Sequence, residues 1–414
     1  MEKTLNFEQN SGKFQSAHGL RSRKIIIISP NGLSDAGGVE RVMLYAYRAL
    51  SEHGFRVDII DQKALSGSNI GRFFSFFKTG PLDFLAQSFG LSILANREHR
   101  SGSFIINNGY SAFFAKSDIL FCHRCIRGAR LAQYRVRSEQ QPSSLSERRA
   151  QIDGHKTSRI TRLIGSLKIF LYGPDEIAEM IAGHRSHIIL AVSEHSQREW
   201  QRYYRLSSSK FKNLPNSVDT EHFQPDLESH KQQSSRQSRI ALRILFIGSL
   251  TYLKGLDRLG ATIEKARQTA KNWEFIIATP SSFNTEKFAS KQNVTIRKGV
   301  SFAELPDLYR SCDVMYFPSI YEGFEMVTLE ALSSGLPVVG TDVGAISVLY
   351  KAGFPGVYRI DPDDFDQISD AFEIAASRWK DPAEKRLLHN LVDANYGIST
   401  WSQKLIEILE AYHD

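Results

Sequence analysis

Between Val314 and Gly340 one short stretch spells out strand, loop, helix and strand in succession. Two strands joined through a helix lie parallel, so this succession confines the fold to a parallel α/β sheet. Val314 to Phe317 is an apolar run of strand length, and Pro318 to Gly323 is a Pro/Ser/Gly loop. A helix is predicted from about Glu325, stopped by Gly335, with a second buried strand at Val338–Gly340. Gly323 permits a tight turn, and Gly323, Phe324, Glu325, Met326 and Val327 then set helix-start backbone against whatever lies in front. Such a terminus carries roughly half a positive charge and suits a phosphate.

Two carboxylates bracket that terminus, Glu322 before it and Glu330 within the helix. Eight helical residues span about 12 Å. A retaining glycosidase needs its carboxyl pair about 5 Å apart on a single bond, so that chemistry is not indicated. The spacing suits an extended ligand with phosphates between its ends, and a nucleotide diphosphate sugar has that shape.

At 414 residues the chain exceeds one typical core, and two domains are expected. Met1 to Arg23 is polar and lacks an apolar signal region, and no apolar run approaches the ~20 residues of a membrane span. Three cysteines exclude a disulfide scaffold and fit a reducing cytoplasm. The net charge of +7 is local: residues 121–170 hold eleven Lys/Arg against Glu139, Glu147 and Asp153, leaving the remainder near neutral. Arg159, Arg162 and Lys168 interleave there with Ile160, Leu163, Ile164, Leu167 and Phe170 at near-helical spacing. Such a segment is a solvated basic face, a surface for anionic lipid, or a groove for a phosphorylated acceptor. No nucleic-acid-binding motif accompanies it, and nucleic acid is not expected as a partner.

Lys24 to Ser29 is a β-branched run, the pattern of a strand buried on both faces. Its loop carries Gly37 and Gly38 into a helix reaching about Glu52, a second place where backbone meets an anion or simply turns. It is not G-x-G-x-x-G, so no dinucleotide fingerprint is present. Further strands are expected at Arg56–Asp61, Phe104–Asn107, Ile119–Cys122 and Ile188–Val192. Gly71 to Lys78 is an aromatic patch, read as a core-facing helix or an interfacial anchor. Cys122 and Cys125 form a lone C-x-x-C without a second pair, which makes zinc or redox chemistry a minor reading. His123 ends its strand, where ligands gather in open α/β sheets. Gln224 to Ser238 is polar and aperiodic, a linker by composition. Beyond it the rhythm restarts with Arg243–Gly248, then Ser249 to Gly255, and strands at Glu274–Thr279, Val294–Arg297 and Val314–Phe317.

Glu322 and Glu330, with Gly323-Phe324 between and Gly335-Leu336-Pro337-Val338-Val339 after, resemble the E-x7-E signature of the family-4 (group 1) retaining glycosyltransferases. Gly37-Gly38-Val39-Glu40-Arg41 resembles that family's G-G-x-E-R loop, and Pro215-Asn216-Ser217-Val218-Asp219 its P-N-G-V-D, with Ser217 in place of Gly. Gly248-Ser249…Lys254-Gly255 is similar to G-R-L…K-G, with Ser249 where the family has Arg. Glu325 stands where the family has Gly, and fits beside a diphosphate only if its side chain turns away.

The resemblance implies a GT-B fold: two Rossmann-like, doubly wound parallel-sheet domains facing across a cleft, with the last helix crossing back. The implied boundaries are a tail 1–23, an acceptor domain 24–225, a linker 226–240, a donor domain 241–398 and a crossover helix 399–414. It also implies catalytic roles for Glu322, Lys254 and His123. Donor contacts are implied from Gly37, Gly38, Gly248, Ser249, Gly323, Phe324, Glu325, Met326, Val327 and Glu330, with the ribose hydroxyls on Glu330. No metal or cofactor is expected. The implied reaction moves a hexosyl unit, with retention, from a UDP- or GDP-sugar to a glycan or lipid-linked acceptor in cell-surface polysaccharide or glycolipid synthesis. The implied setting is cytoplasmic, with 121–170 as a candidate contact to the inner membrane face. Two alternatives stand beside it: a non-hydrolysing nucleotide-sugar epimerase of the same fold, and a non-catalytic sugar-nucleotide-binding subunit suggested by Ser249 and Glu325.

Overall fold

Four consecutive isoleucines, Ile25–Ile28, form β1 and none is more than 1% exposed. The strand pairs in parallel on both edges, with β2 (Val57–Ile60) and β3 (Phe104–Asn108), which is why every position is apolar. The first sheet continues through β4 (Ser117–Cys122), β5 (Ser186–Ala191) and β6 (Phe211–Asn213), in the order β2-β1-β3-β4-β5-β6. A second parallel sheet contains β7 (Leu242–Ile247), β8 (Trp273–Thr279), β9 (Val294–Lys298), β10 (Val314–Phe317), β11 (Val338–Gly340) and β12 (Val357–Arg359). Its order is β12-β11-β10-β7-β8-β9. The computed structural model describes residues 22–35, 37–74, 82–139, 172–226 and 241–412.

Each sheet reverses its winding once. After β2 the chain returns to the far side of β1 to lay down β3, and after β9 it returns to the far side of β7 to lay down β10. Loops leaving the carboxyl ends of strands at such a reversal diverge and open a crevice, the usual ligand position in doubly wound sheets. The reversals are therefore β1/β3 in the first sheet and β7/β10 in the second.

The chain divides into two compact units. One holds the residues up to His123, Ala178–Asn216 and those from Ile398 onward; the other holds Arg124–Ile177 and Ser217–Gly397. The last helix, Ile398–Ala411, thus belongs to the first unit, where it packs on the Gly38–Glu52 helix. Trp401 lies 6.4 Å from the Phe121 ring. In the second unit Phe372 meets Trp273 and Tyr316 edge-on at 5.3 and 5.2 Å. Aromatic rings of this size each bury roughly 150–250 Å², and edge-to-face packing adds about 1 kcal/mol per pair to that burial.

The central helix, Met326–Ser333, is buried on nearly every face. It stops as its sequence dictates: Gly335, at φ +76°, donates to Leu332 O, and Leu336 N–H donates to Ala331 O. This paired closure uses a left-handed glycine to satisfy two terminal carbonyls.

The Gly71–Lys78 patch begins inside a short helix, Asn69–Phe74, and its remainder lies outside the described residues. The basic segment contributes the helix Ile126–Glu139, while 140–171 lies outside them, as does 227–240 of the linker. Among the described residues no helix is long and apolar enough to cross a membrane.

Candidate active site

In the second unit the loops after β7 and β10 are sewn together. Ile320 N–H donates to Leu253 O at 2.8 Å, and Arg258 Nη1 donates to the carbonyls of Pro318 and Ser319 at 3.2 and 3.1 Å. Gly255, at φ +77°, starts the helix Leu256–Gln268, and a Cβ there would sit 2.2 Å from Pro318 O. Only glycine allows that approach, so the glycine after Lys254 is a requirement of the loop pairing. The pairing brings Lys254 Nζ to 2.6 Å from Glu322 Oε1, with the two side chains 29% and 12% exposed. Ser319 Oγ donates to the same Glu322 oxygen at 3.1 Å. Lys254 Nζ also lies 5.8 Å from the centre of the Phe317 ring. A half-buried cation and carboxylate thus meet at the β7/β10 reversal, beside Gly248 and Ser249.

Glu325 is the N-cap of the central helix, yet its carboxylate does not cap that helix. It accepts from Thr328 Oγ1 at 2.6 Å and from Ala345 N–H at 2.9 Å. Ala345 lies in the first turn of the next helix, Gly344–Lys351, so the charge is directed to that helix's positive end. Room for it exists because residue 344 is glycine at φ +56°: a Cβ would lie 2.0 Å from Glu325 Oε2 and 2.6 Å from Glu322 Cβ. Burial, and next the Glu322 carboxylate, push the Glu325 carboxyl up from the usual carboxylate range to about 7. Turning Glu325 aside leaves the first turn of the central helix, Met326 and Val327, without a side-chain cap.

Phe324 is buried against Tyr396, with ring centroids 5.8 Å apart, and so serves the core by its side chain. Glu330 is 1% exposed and accepts from Tyr309 Oη at 2.7 Å. Tyr309 is itself buried, so this carboxylate is fixed within the second unit. Tyr321 Oη donates to Cys125 O and accepts from Cys125 N–H, both at 3.1 Å. That bond pair fastens the start of the Ile126–Glu139 helix to the Glu322 loop. Arg127 and Arg130 of that helix both contact the buried Glu176, at 3.2 and 2.8 Å. Part of the basic segment's charge is therefore used internally.

The first unit holds Gly37, Gly38 and His123. Gly37 is the N-cap of the Gly38–Glu52 helix, and the Glu40 carboxylate folds back against its Cα. Asn31 Nδ2 donates to Glu40 Oε1 at 2.9 Å, tying the loop to the helix start. His123 follows β4, with Nε2 2.8 Å from Asn108 Oδ1 and its ring stacked on Phe121 at 6.2 Å. Cys122 and Cys125 are buried and not disulfide-bonded.

Sequence reading missed Asn108, Ser319, Tyr309 and the placement of Gly344. A visible signal existed for the first: Asn107-Asn108-Gly109 is an abrupt polar end to an apolar strand.

A pair of parallel, doubly wound sheets, with an acid–base pair at a strand reversal before a helix start, defines the class as a doubly wound α/β protein. Residues 241–377 match the family described as Glycosyl transferases group 1. The chain is 28% identical over 205 residues to an MMP alpha-(1->4)-mannosyltransferase of Mycolicibacterium hassiacum, covering 48% of this chain and 47% of that one. A D-inositol 3-phosphate glycosyltransferase of Pseudarthrobacter chlorophenolicus is 27% identical, covering 54% and 55%. A lipopolysaccharide core biosynthesis mannosyltransferase of Rhizobium meliloti is 27% identical, covering 35% and 46%. The chain spans about half the length of the curated relatives it matches. Among solved structures, sucrose-phosphate synthase from Thermosynechococcus elongatus superposes with a TM-score of 0.63 at 16% identity, over 94% of this chain and 98% of that one. Anabaena HepE in complex with UDP-glucose superposes at 0.60 and 14%, over 94% and 99%. The chain has the GT-B fold, and its second unit carries the match to the group 1 glycosyltransferases.

Proposed function

We propose that the chain transfers a hexosyl unit, with retention, from a UDP- or GDP-sugar to a glycan or lipid-linked acceptor in glycolipid or polysaccharide synthesis. The observation that carries this is the Lys254–Glu322 pair at the β7/β10 reversal, beside a helix start whose N-cap carboxylate points elsewhere. A diphosphate seated on the Met326–Val327 backbone would draw the Lys254 ammonium and leave Glu322 facing the sugar. The glycosyl–phosphate bond breaks, the bond to the acceptor oxygen forms on the same face, and the acceptor proton goes to the departing diphosphate. Preorganised charge supplies most of the acceleration in such a site. A relative named for lipopolysaccharide core biosynthesis and a neighbour holding UDP-glucose support the acceptor and donor classes.

A second reading, a subunit that binds the donor without transferring it, is favoured by one observation. Ser249 supplies no cation, and Nη1 of the nearby Arg258 is committed to loop carbonyls. A thermal-shift panel of UDP-, GDP-, ADP- and CMP-sugars, followed by product analysis with lipid and glycan acceptors, separates the readings. Donor-induced stabilisation with transfer supports the proposal, and stabilisation without transfer to any acceptor supports the second reading. No shift with any nucleotide sugar rejects both. Donor breakdown without acceptor would instead point to an epimerase.

A further inference from the structure

The carboxyl ends of three neighbouring strands, β1, β3 and β4, carry a row of polar side chains: Ser29, Asn108 and His123. Ser29 Oγ–H donates to Gly32 O at 2.7 Å. With its proton committed there, the hydroxyl meets Asn108 only through lone pairs, so the amide presents Nδ2 to it, at 3.5 Å. The other end of the amide, Oδ1, therefore faces His123 Nε2 at 2.8 Å. An amide oxygen only accepts, which places the imidazole proton on Nε2. Ser29 and Asn108 are 0% and 6% exposed, so bulk water does not compete for either partner. The Asn108 carbonyl is held in turn by Ser111 Oγ at 2.6 Å, which fixes the backbone from which the amide projects.

We infer that Asn108 is a positioning residue: it locks His123 in the Nε2–H tautomer and makes Nδ1 the accepting edge of the ring. This deepens the reading of the chain as a sugar-nucleotide enzyme and rests on it for its consequence. An accepting nitrogen pairs with a sugar hydroxyl and repels a phosphate oxygen. That edge of His123 thus suits a hydroxyl group of the ligand rather than its diphosphate. The loop holding Gly37 and Gly38 enters the same arrangement through Gly32, because the bond that orients Asn108 also pins the first turn after β1.

The test is a long-range ¹H–¹⁵N correlation spectrum of the full chain labelled at histidine, with His123 assigned by loss of its signals in His123→Gln. The expected result is the Nε2–H pattern in the unaltered protein, moving toward Nδ1–H or a mixture in Asn108→Ala and partly so in Ser29→Ala. Asn108→Asp, which keeps an acceptor, retains the Nε2–H pattern. In transfer assays Asn108→Ala loses on the order of tenfold to hundredfold in kcat/KM, with Asn108→Asp recovering most of it. An Nδ1–H pattern in the unaltered protein overturns the inference, as do His123 signals that are unchanged in folded Asn108→Ala and Ser29→Ala. A tautomer shift in a chain that transfers nothing upholds the positioning role and rejects the transfer reading instead.

Discussion

The two strand reversals solve one geometric problem with opposite chemistry. At β1/β3 the side chains are hydrogen-bonded neutral groups, Ser29 and Asn108, arranged around His123. At β7/β10 they are formal charges, Lys254, Glu322 and Glu325, within one cluster. Neutral bonds in a buried setting fix direction at little electrostatic expense, so the first reversal is suited to orienting the His123 ring. Clustered charges do the reverse: they set a local potential to which a charged ligand responds. The comparison teaches that the fold supplies the place, and the side chains divide the two reversals into an oriented neutral one and a charged one.

The sharpest way to break that division is to remove the cation. Lys254→Ala is expected to lower kcat for transfer by about 10²–10³-fold, the usual loss for one preorganised transition-state contact. Near-normal turnover would reject the assignment of charge stabilisation to the second reversal. A steric test comes next. Gly344→Ala inserts a methyl group 2.0 Å from Glu325 Oε2 at a left-handed position, so it is expected to destabilise by roughly 3 kcal/mol or more. Denaturant unfolding reads this directly, and a change under about 0.5 kcal/mol, the range for an indifferent surface position, would show that the crowding is not felt.

The third prediction concerns pH. Glu325 holds its proton up to about 7 in the folded chain and only to the ordinary value of 4.5 when unfolded. Stability from this group is full below 4.5 and is lost as pH rises toward 7, because the unfolded state ionises first. The loss is bounded at on the order of 3 kcal/mol by the size of the shift. Glu325→Gln, which can donate to Thr328 Oγ1 and accept from Ala345 N–H, escapes it. Thermal unfolding at pH 5 and pH 8 should show the variant gaining on the unaltered protein at the higher pH. An equal gap at both pH values would mean that the carboxylate is better solvated than its burial indicates.

Much of the scaffold was legible because buried parallel strands leave a blunt pattern. Ile25–Ile28, Val314–Phe317 and Val338–Gly340 are apolar throughout, and Gly335 announced the stop that two terminal hydrogen bonds confirm. The site was legible only where one loop carries it, as from Glu322 to Val327. Asn108 and His123 lie fifteen residues apart at the ends of different strands, and nothing local marks them as partners. Arg258 Nη1 supports two carbonyls about sixty residues away in the chain, a pairing that follows from strand order and that nothing local announces. Glu325 was anticipated as a problem to be turned aside, but the helix that receives it begins twenty residues later.

The placement of the Ile398–Ala411 helix sets an order of events during synthesis. Domains ordinarily fold as they emerge, the earliest first. Here Trp401 and Tyr412 pack on Phe121 and Phe104, so part of the cover over the first-made strands comes from a helix made far later. The later-made unit, closed by Gly397, is free to collapse while its predecessor is still open on the ribosome. A nascent chain halted near that glycine would expose unroofed apolar strands to chaperones.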